Sequence, residues 1–184
     1  MISFEKVMAY TNRISSHTAL EDEEARAMFD LCYTEIPAAG FVVEVGCELG
    51  RSSSIIAQVG KYVGYKSAHI DPYLANRDYL VNWISMMHDI GNPFVFYSMP
   101  SQLASGLLPR KRFDLVYIDG DHEYEAVRMD LALIASNVRS KGLLLAHDYG
   151  RDSLPGPKPA VDEFVSKGWS KIGVYGTLGV WRRT

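Results

Sequence analysis

Strand-like and helix-like segments alternate along most of this chain. The strand-like segments are short apolar runs rich in β-branched residues, typical of strands that are buried on both faces of a sheet. They cover Phe41–Val45, Lys66–Ile70, Phe94–Tyr97, Phe113–Ile118 and Gly142–Ala146. The intervening segments have helical spacing over Ser52–Val59, Arg77–Asp89, a short stretch after Ser101, and Tyr124–Asn137. This alternation predicts a doubly wound α/β fold, in which helices cover both faces of a parallel sheet.

The two ends of the chain follow a different pattern. Thr18–Asp30 starts with an N-cap residue and acids, which predicts a helix that ends near Pro37. After a proline-rich loop and a short helix over 154–168, Lys171–Arg183 consists of two strand-like runs joined by Gly176-Thr177. A glycine-containing pair between two such runs is typical of a hairpin.

Length and charge restrict the classes of protein to consider. At 184 residues the chain is predicted to form one domain. Its parts are an N-terminal helical segment (1–40), central β-α units (41–150), and a C-terminal helix and hairpin (151–184). The net charge of -3 and the pI of about 5.9 give no reason to expect nucleic acid or a membrane as a partner.

The cysteines and the N-terminus indicate the compartment. Cys32 and Cys47 have neither the CxxC spacing of a zinc site nor the density of a disulfide framework. The first residues lack the pattern of a signal peptide, and no run reaches the roughly 18 apolar residues of a membrane span. We therefore expect a soluble cytoplasmic protein with reduced thiols.

A glycine turn follows the first predicted strand. In parallel sheets, ligands bind outside the carboxyl ends of the strands, and glycines there let the backbone approach a cofactor closely. The turn reads Gly46-Cys47-Glu48-Leu49-Gly50, with Glu48 where dinucleotide-binding turns have a second glycine. Its carboxylate would repel a pyrophosphate. The turn therefore favours a cofactor with a positive centre over NAD or FAD.

Two carboxylates flank this turn. Asp71 ends the second predicted strand, where a carboxylate can accept two hydrogen bonds from the hydroxyls of a ribose. The alternative for Asp71-Pro72 is a simple turn without a ligand. Glu44 closes the Phe-Val-Val run, and its charge would be costly to bury without partners.

Three stretches together resemble a known family. EVGCELGRSS, then HIDPY, then DLVYIDGDHEYEAVRMDL look like the class I S-adenosylmethionine-dependent methyltransferases. The last stretch is most similar to the group that includes macrolide-sugar O-methyltransferases and proteins named cephalosporin hydroxylases. The resemblance extends from Leu20 to Trp181. It implies a Rossmann-like, mostly parallel seven-stranded sheet with an antiparallel C-terminal hairpin.

The resemblance also implies which residues surround S-adenosylmethionine. Asp71 would hold the ribose, and residues after the third strand would lie beside the adenine. The implied cofactor-binding residues are Glu44, Gly46, Cys47, Gly50, Ser52, Asp71, Ser98, Gln102 and Asp119.

Acids and histidines cluster after the fourth and fifth predicted strands. Oxygen donors combined with imidazoles suit Mg²⁺ or Mn²⁺ better than zinc, because no thiolate is present. The resemblance implies that Asp119, His147 and Asp148 hold Mg²⁺. Related enzymes more often have an acid where this chain has His147. Asp121, by contrast, is expected to cap the helix that follows it.

His122 is the predicted general base, acting together with Asp119. The resemblance places it where sugar methyltransferases have a proposed base, and an imidazole that titrates near neutrality can take the proton of an attacking hydroxyl. The alternative is that His122 is a polar residue without a chemical task. The predicted reaction is methyl transfer to a hydroxyl of a small molecule, such as a sugar or a catechol-like diol.

Two other functions remain open from the sequence. One is an iron-dependent hydroxylase that uses His122, His147 and Asp148. The other is a non-catalytic domain that binds an adenosine cofactor. The chain is also short before its first predicted helix, so either the site is open or a second subunit of a homo-oligomer covers it.

Overall fold

Seven strands form one sheet in a computed structural model that describes residues 1–14, 20–72, 77–109 and 112–184. The strands are β1 (Phe41–Val45), β2 (Lys66–Ile70), β3 (Phe94–Tyr97), β4 (Phe113–Ile118), β5 (Val138–Ala146), β6 (Trp169–Tyr175) and β7 (Leu178–Arg183). Their order is β3-β2-β1-β4-β5-β7-β6. β1 to β5 are parallel, and β7 is antiparallel to both β5 and β6. The predicted sheet with its C-terminal hairpin is confirmed.

Helices cover both faces of this sheet. They are α1 (Phe4–Ile14), α2 (Asp22–Glu35), α3 (Arg51–Val63), α4 (Arg77–Ile90), α5 (Ser101–Ala104), α6 (Tyr124–Leu133) and α7 (Pro157–Phe164), with a 3₁₀ turn at Ala135–Asn137. One core joins β1 to α5, α6 and α7, and the other core joins it to α1, α2 and α3. The doubly wound architecture is therefore confirmed. Among the described helices, none is long and apolar enough to cross a membrane.

The alternation of side chains in β1 assigns each residue to one of the two cores. Val43 and Val45 belong to the core under α6, whereas Val42 belongs to the core under α3. Glu44 lies on the same face as Val42 because successive residues of a strand point to opposite faces. Its neighbours in register are His69 on β2 and Tyr117 on β4.

The reversal of strand order occurs at β1, which lies between β2 and β4. The ends of these strands are in register, since Val45 pairs with both Ile70 and Ile118. Ile118 in turn pairs with Ala146 at the end of β5. Residues that follow four different strands therefore meet at one edge, where open α/β sheets bind their ligands.

Some boundaries differ from those predicted. β1 to β4 have the predicted bounds, but β5 begins at Val138 rather than Gly142. Its first part contains the exposed residues Ser140 and Lys141, and a bulge interrupts the pairing with β4. Because these residues are polar and irregularly paired, they lack the apolar pattern by which a strand is recognised.

The N-terminal helices also differ from the prediction. α1 was not predicted, although Val7, Met8 and Thr11 lie at helical spacing and are buried. α2 starts later than expected, after a capping box formed by Glu21 and Glu24. The predicted N-cap, Thr18, lies outside the described residues.

Candidate active site

A cleft of about 710 Å³ opens at the carboxyl edge of the sheet. It is lined by residues that follow β1, β2, β4 and β5, together with residues from α5 and α6. Among the predicted site residues, those that line the cleft are Gly46, Cys47, Ser52, Asp71, Gln102, Asp119, His122 and Asp148. The structure therefore brings most of the predicted site into one cavity.

The glycine turn lies directly against the end of β4. Gly46 has φ of 85°, and a Cβ atom there would lie 1.9 Å from the backbone oxygen of Asp119. Gly50 also has positive φ, and its Cβ would lie 2.9 Å from Cδ1 of Trp83. Only glycine fits the first position, because any side chain would collide with the backbone that directly follows β4.

Asp71, which follows β2, holds this turn in place by hydrogen bonds. Its Oδ2 accepts hydrogen bonds from the backbone N–H groups of Cys47, at 2.8 Å, and Glu48, at 3.1 Å. Asp71 also lines the cleft. The carboxylate that was predicted to bind a ribose therefore shapes the glycine turn as well, and its contact with a ribose stays a prediction.

Glu44 lies behind the turn, where it is fully buried. Its Oε2 accepts a hydrogen bond from Ser53 Oγ at 2.5 Å and lies 2.5 Å from Nδ1 of His69. Ser53 in turn accepts a hydrogen bond from Nε1 of Trp83 at 2.9 Å. Glu44 is absent from the described residues that line the cleft. The Glu44 carboxylate therefore links α3 to β1 and β2. Direct contact between Glu44 and a cofactor stays a prediction.

The segment after β3 contributes one of its two predicted residues to the cleft. Gln102 lines the cleft, whereas Ser98 is not among the described lining residues. Beside Gln102, Ser101 donates a hydrogen bond to the buried carboxylate of Asp130, which was not predicted as a site residue. Burial raises the pKa of Asp130 to about 6.

Asp119, His122, His147 and Asp148 meet at the ends of β4 and β5. Nδ1 of His147 lies 3.1 Å from Oδ1 of Asp119 and 3.3 Å from Oδ2 of Asp148. Nδ1 of His122 also lies 3.3 Å from Oδ2 of Asp148. The predicted convergence of these groups is therefore seen in the fold. Asp121 instead accepts the backbone N–H of Glu123 at the start of α6.

Glu24, on α2, is a member of this cluster that the sequence did not reveal. Its Oε2 lies 3.1 Å from Nε2 of His147, and its Oε1 accepts hydrogen bonds from the N–H and Oγ1 of Thr177. Burial alone would raise the pKa of Glu24, but hydrogen bonds from His147, Glu21 and Thr177 lower it to about 2. In the sequence, Glu24 follows the exposed acids Asp22 and Glu23, and nothing local separates it from them.

The carboxylates around His147 favour a positive charge beside its Nδ1. Burial alone would lower the pKa of His147, but its contacts with the carboxylates of Asp119, Asp148 and Glu24 raise it to about 12. Nδ1 of His147 is buried and has no well-aligned hydrogen-bond partner among the described residues. Either a proton or a metal ion at Nδ1 would balance the two acids that face it.

The spacing of these atoms fits a divalent ion. Neighbouring ligands of octahedral Mg²⁺ are about 3 Å apart, because each bond is about 2.1 Å long. The separations of 3.1 Å and 3.3 Å from His147 Nδ1 to Asp119 and Asp148 are close to this value. Donor atoms of Asp119, His122 and Asp148 also lie within 4.8 Å of one another. This group contains His122 in place of His147, so the support for the predicted set is the pair of separations from His147 Nδ1, while the presence and identity of the ion stay predictions.

A comparison with known protein families identifies the segment that contains this site. A family model described as a methyltransferase domain matches residues 43–149. No curated protein matches the chain.

Solved structures resemble nearly the whole chain. A TDP-rhamnose 3'-O-methyltransferase of calicheamicin biosynthesis is 12% identical, with 97% of this chain and 93% of that chain covered and a TM-score of 0.70. The Bacillus cereus O-methyltransferase in complex with SAH is 12% identical, with coverage of 98% and 90% and a TM-score of 0.68. A Geobacter sulfurreducens methyltransferase is 18% identical, with coverage of 97% and 88% and a TM-score of 0.69. At these identities the likeness establishes the fold.

Gly46→Ala is expected to disrupt the turn. The added Cβ would overlap the Asp119 backbone at 1.9 Å and require positive φ, so we expect a loss of about 3 kcal/mol or more in the free energy of unfolding. Urea denaturation measures this loss. Gly106→Ala is the control, because a Cβ there would meet its nearest atom at 3.9 Å. Equal stability of the two variants would contradict the close approach of the turn to β4.

Glu24→Gln is expected to flatten the acid dependence of stability. The pKa of Glu24 is about 2 in the folded chain and about 4.3 in an unfolded chain. Its charge therefore stabilises the fold above about pH 4, and this contribution is lost as the pH falls toward about 2. Between about pH 5 and about pH 2, the wild type should lose on the order of 3 kcal/mol more than the variant.

Urea unfolding at several pH values tests this difference. Glu23→Gln is the matched control, since Glu23 is the exposed neighbour of Glu24 and should leave the wild-type pH profile unchanged. Parallel profiles for the wild type and Glu24→Gln would show that the Glu24 carboxylate gains nothing from its contacts.

Proposed function

Because the chain belongs to the methyltransferase domain family, we propose that it is an S-adenosylmethionine-dependent O-methyltransferase that acts on a small molecule. The main support is the glycine turn after β1, which Asp71 holds at the mouth of a cleft that also contains an acid and histidine cluster. The cleft volume of about 710 Å³ is in the range of small-molecule sites. The O-methyltransferases among the similar structures, one of them in complex with SAH, give further support.

The cofactor would lie along the edge of the sheet. Its methionine portion would meet the backbone at Gly46 and Ser52, its ribose would meet Asp71, and its adenine would lie beside Gln102. All four residues line the cleft. Burial, followed by the charges of Glu44 and Asp71, raises the pKa of the Cys47 thiol, so this group contributes a neutral surface.

His122 is the general base of the proposed reaction. When Nδ1 of His122 donates to Asp148, at 3.3 Å, Nε2 carries the lone pair that accepts a proton. The substrate oxygen attacks the methyl carbon, the carbon–sulfur bond breaks with its electron pair going to sulfur, and the hydroxyl proton passes to His122. The sulfonium already makes the methyl group electrophilic, so the main task of the protein is to align oxygen, carbon and sulfur.

Asp119, His147 and Asp148 would hold the divalent ion, for which Mg²⁺ is our proposal. When bound, such an ion lowers the pKa of a coordinated hydroxyl and orients it. Asp119 is fixed for this role by the hydroxyl of Tyr117, which donates to its Oδ2 at 2.8 Å. Location in the cytoplasm, assembly into a homo-oligomer, and the lack of nucleic-acid or membrane partners also stay proposals.

Calorimetric titration tests the cofactor. We expect S-adenosylmethionine and SAH to bind, and Asp71→Asn to weaken both. Binding of NAD alone would contradict the proposal. Binding of 2-oxoglutarate would favour the hydroxylase alternative, and binding of S-adenosylmethionine without turnover on any acceptor would favour a non-catalytic domain.

His122→Asn tests the base. With a labelled methyl donor and a panel of sugars and diols, the variant should lose about 10²- to 10⁴-fold in kcat, while its affinity for S-adenosylmethionine stays at the wild-type value. His88→Asn, a change at an exposed histidine on α4, is the control. Full activity of His122→Asn would exclude this residue as the base.

A further inference from the structure

The imidazole of His147 is held from both sides. Its Nε2 lies 3.1 Å from Glu24, and its Nδ1 lies between Asp119 and Asp148. We propose that Glu24 is a positioning residue that makes His147 a metal ligand, by keeping the hydrogen on Nε2 and the Nδ1 lone pair toward the two acids. This inference rests on the metal site within the proposed function, and it does not depend on which acceptor is methylated.

Glu24 is rigidly placed for this role. Oε1 accepts two hydrogen bonds from Thr177, at 2.7 and 2.8 Å, and Oε2 accepts the N–H of Glu21 at 2.7 Å. The turn at Gly176 closes tightly on the same carboxylate, because a Cβ there would lie 2.9 Å from Oε1. With these donors around it, the Glu24 carboxylate is an acceptor only, so the hydrogen between it and His147 belongs to Nε2.

The opposite nitrogen faces the acids without a good hydrogen bond. Nδ1 is buried and has no hydrogen-bond partner among the described residues, although Asp119 and Asp148 lie within 3.3 Å of it. A lone pair on Nδ1 would therefore lie beside two carboxylate oxygens, at 3.1 and 3.3 Å from the nitrogen. This arrangement of carboxylate, histidine and ligand oxygens is typical of metal-bound histidines, whose second nitrogen donates to a carboxylate.

A histidine needs such a partner more than an acid would. A carboxylate at position 147 could offer either of two equivalent oxygens to a cation and has no tautomers, whereas an imidazole ligates only in the correct tautomer and ring orientation. Glu24 supplies both conditions and raises the basicity of the ring. Because Glu24 belongs to α2 and contacts the β6–β7 turn, the metal site depends on elements outside the central β-α units.

A double-mutant cycle on metal binding tests the proposal. The probe is Mn²⁺, followed by electron paramagnetic resonance, with Mg²⁺ competition, in the wild type, Glu24→Gln, His147→Asn and the double variant. Glu24→Gln should weaken Mn²⁺ binding by about 10- to 100-fold. In the His147→Asn background, where an amide oxygen needs no tautomer control, the same change should alter affinity by less than about 3-fold. Glu23→Gln is the matched control.

Three results would overturn the proposal. They are unchanged Mn²⁺ affinity in a folded Glu24→Gln variant, an equal loss in both backgrounds, and no Mn²⁺ binding by the wild type. Calorimetry with S-adenosylmethionine on the same proteins separates the proposed function from the role of Glu24. If the wild type does not bind S-adenosylmethionine, the proposed function is wrong, while the Mn²⁺ result still decides the role of Glu24.

A nuclear magnetic resonance spectrum of the wild type tests the proposal without any variant that has to fold. In long-range proton–nitrogen spectra of the Mg²⁺-loaded wild type, His147 should show the hydrogen on Nε2 and none on Nδ1. A doubly protonated ring at saturating Mg²⁺ would overturn the proposal even if Glu24→Gln does not fold.

Discussion

Buried negative charge at the carboxyl edge of the sheet is the constraint on which the site depends. Asp119, Asp148 and Glu24 surround His147, and each comes from a different part of the chain. Carboxylates removed from water destabilise a fold unless cations or donors compensate for the lost hydration. The contacts of His147 with these three carboxylates therefore couple the ends of β4 and β5 to α2, and Glu24 extends the coupling to the C-terminal hairpin through Thr177.

The reversal of strand order at β1 provides the place for this charge. Since β2 and β4 both pair with β1 in register, the turn at Gly46 lies between Asp71 on one side and the Asp119 backbone on the other. Asp71 binds the N–H groups of the turn, and Gly46 permits its contact with β4. The glycine turn and the acid cluster are therefore parts of one edge of the sheet.

Much of this arrangement was predictable because it depends on local patterns. Buried parallel strands need continuous apolar runs, so the bounds of β1 to β4 were found correctly, and residues that follow such strands necessarily meet at one edge. Where local pattern is weak, prediction was incomplete. The polar start of β5 was missed. The contacts of the Glu44 carboxylate with His69 and Ser53 were not predicted either, while its contact with a cofactor stays a prediction.

The order of apolar and polar residues along the chain was sufficient to predict the fold. The resemblance of three stretches to methyltransferases supplied the family, and most of the site residues that it implied line the cleft. Partners far apart in the chain became apparent only once the helices and the hairpin had packed. Glu24 and Thr177 are separated by 153 positions, and Glu24 and His147 by 123. Pairing over such distances depends on how whole elements pack, and no local pattern of residues records it.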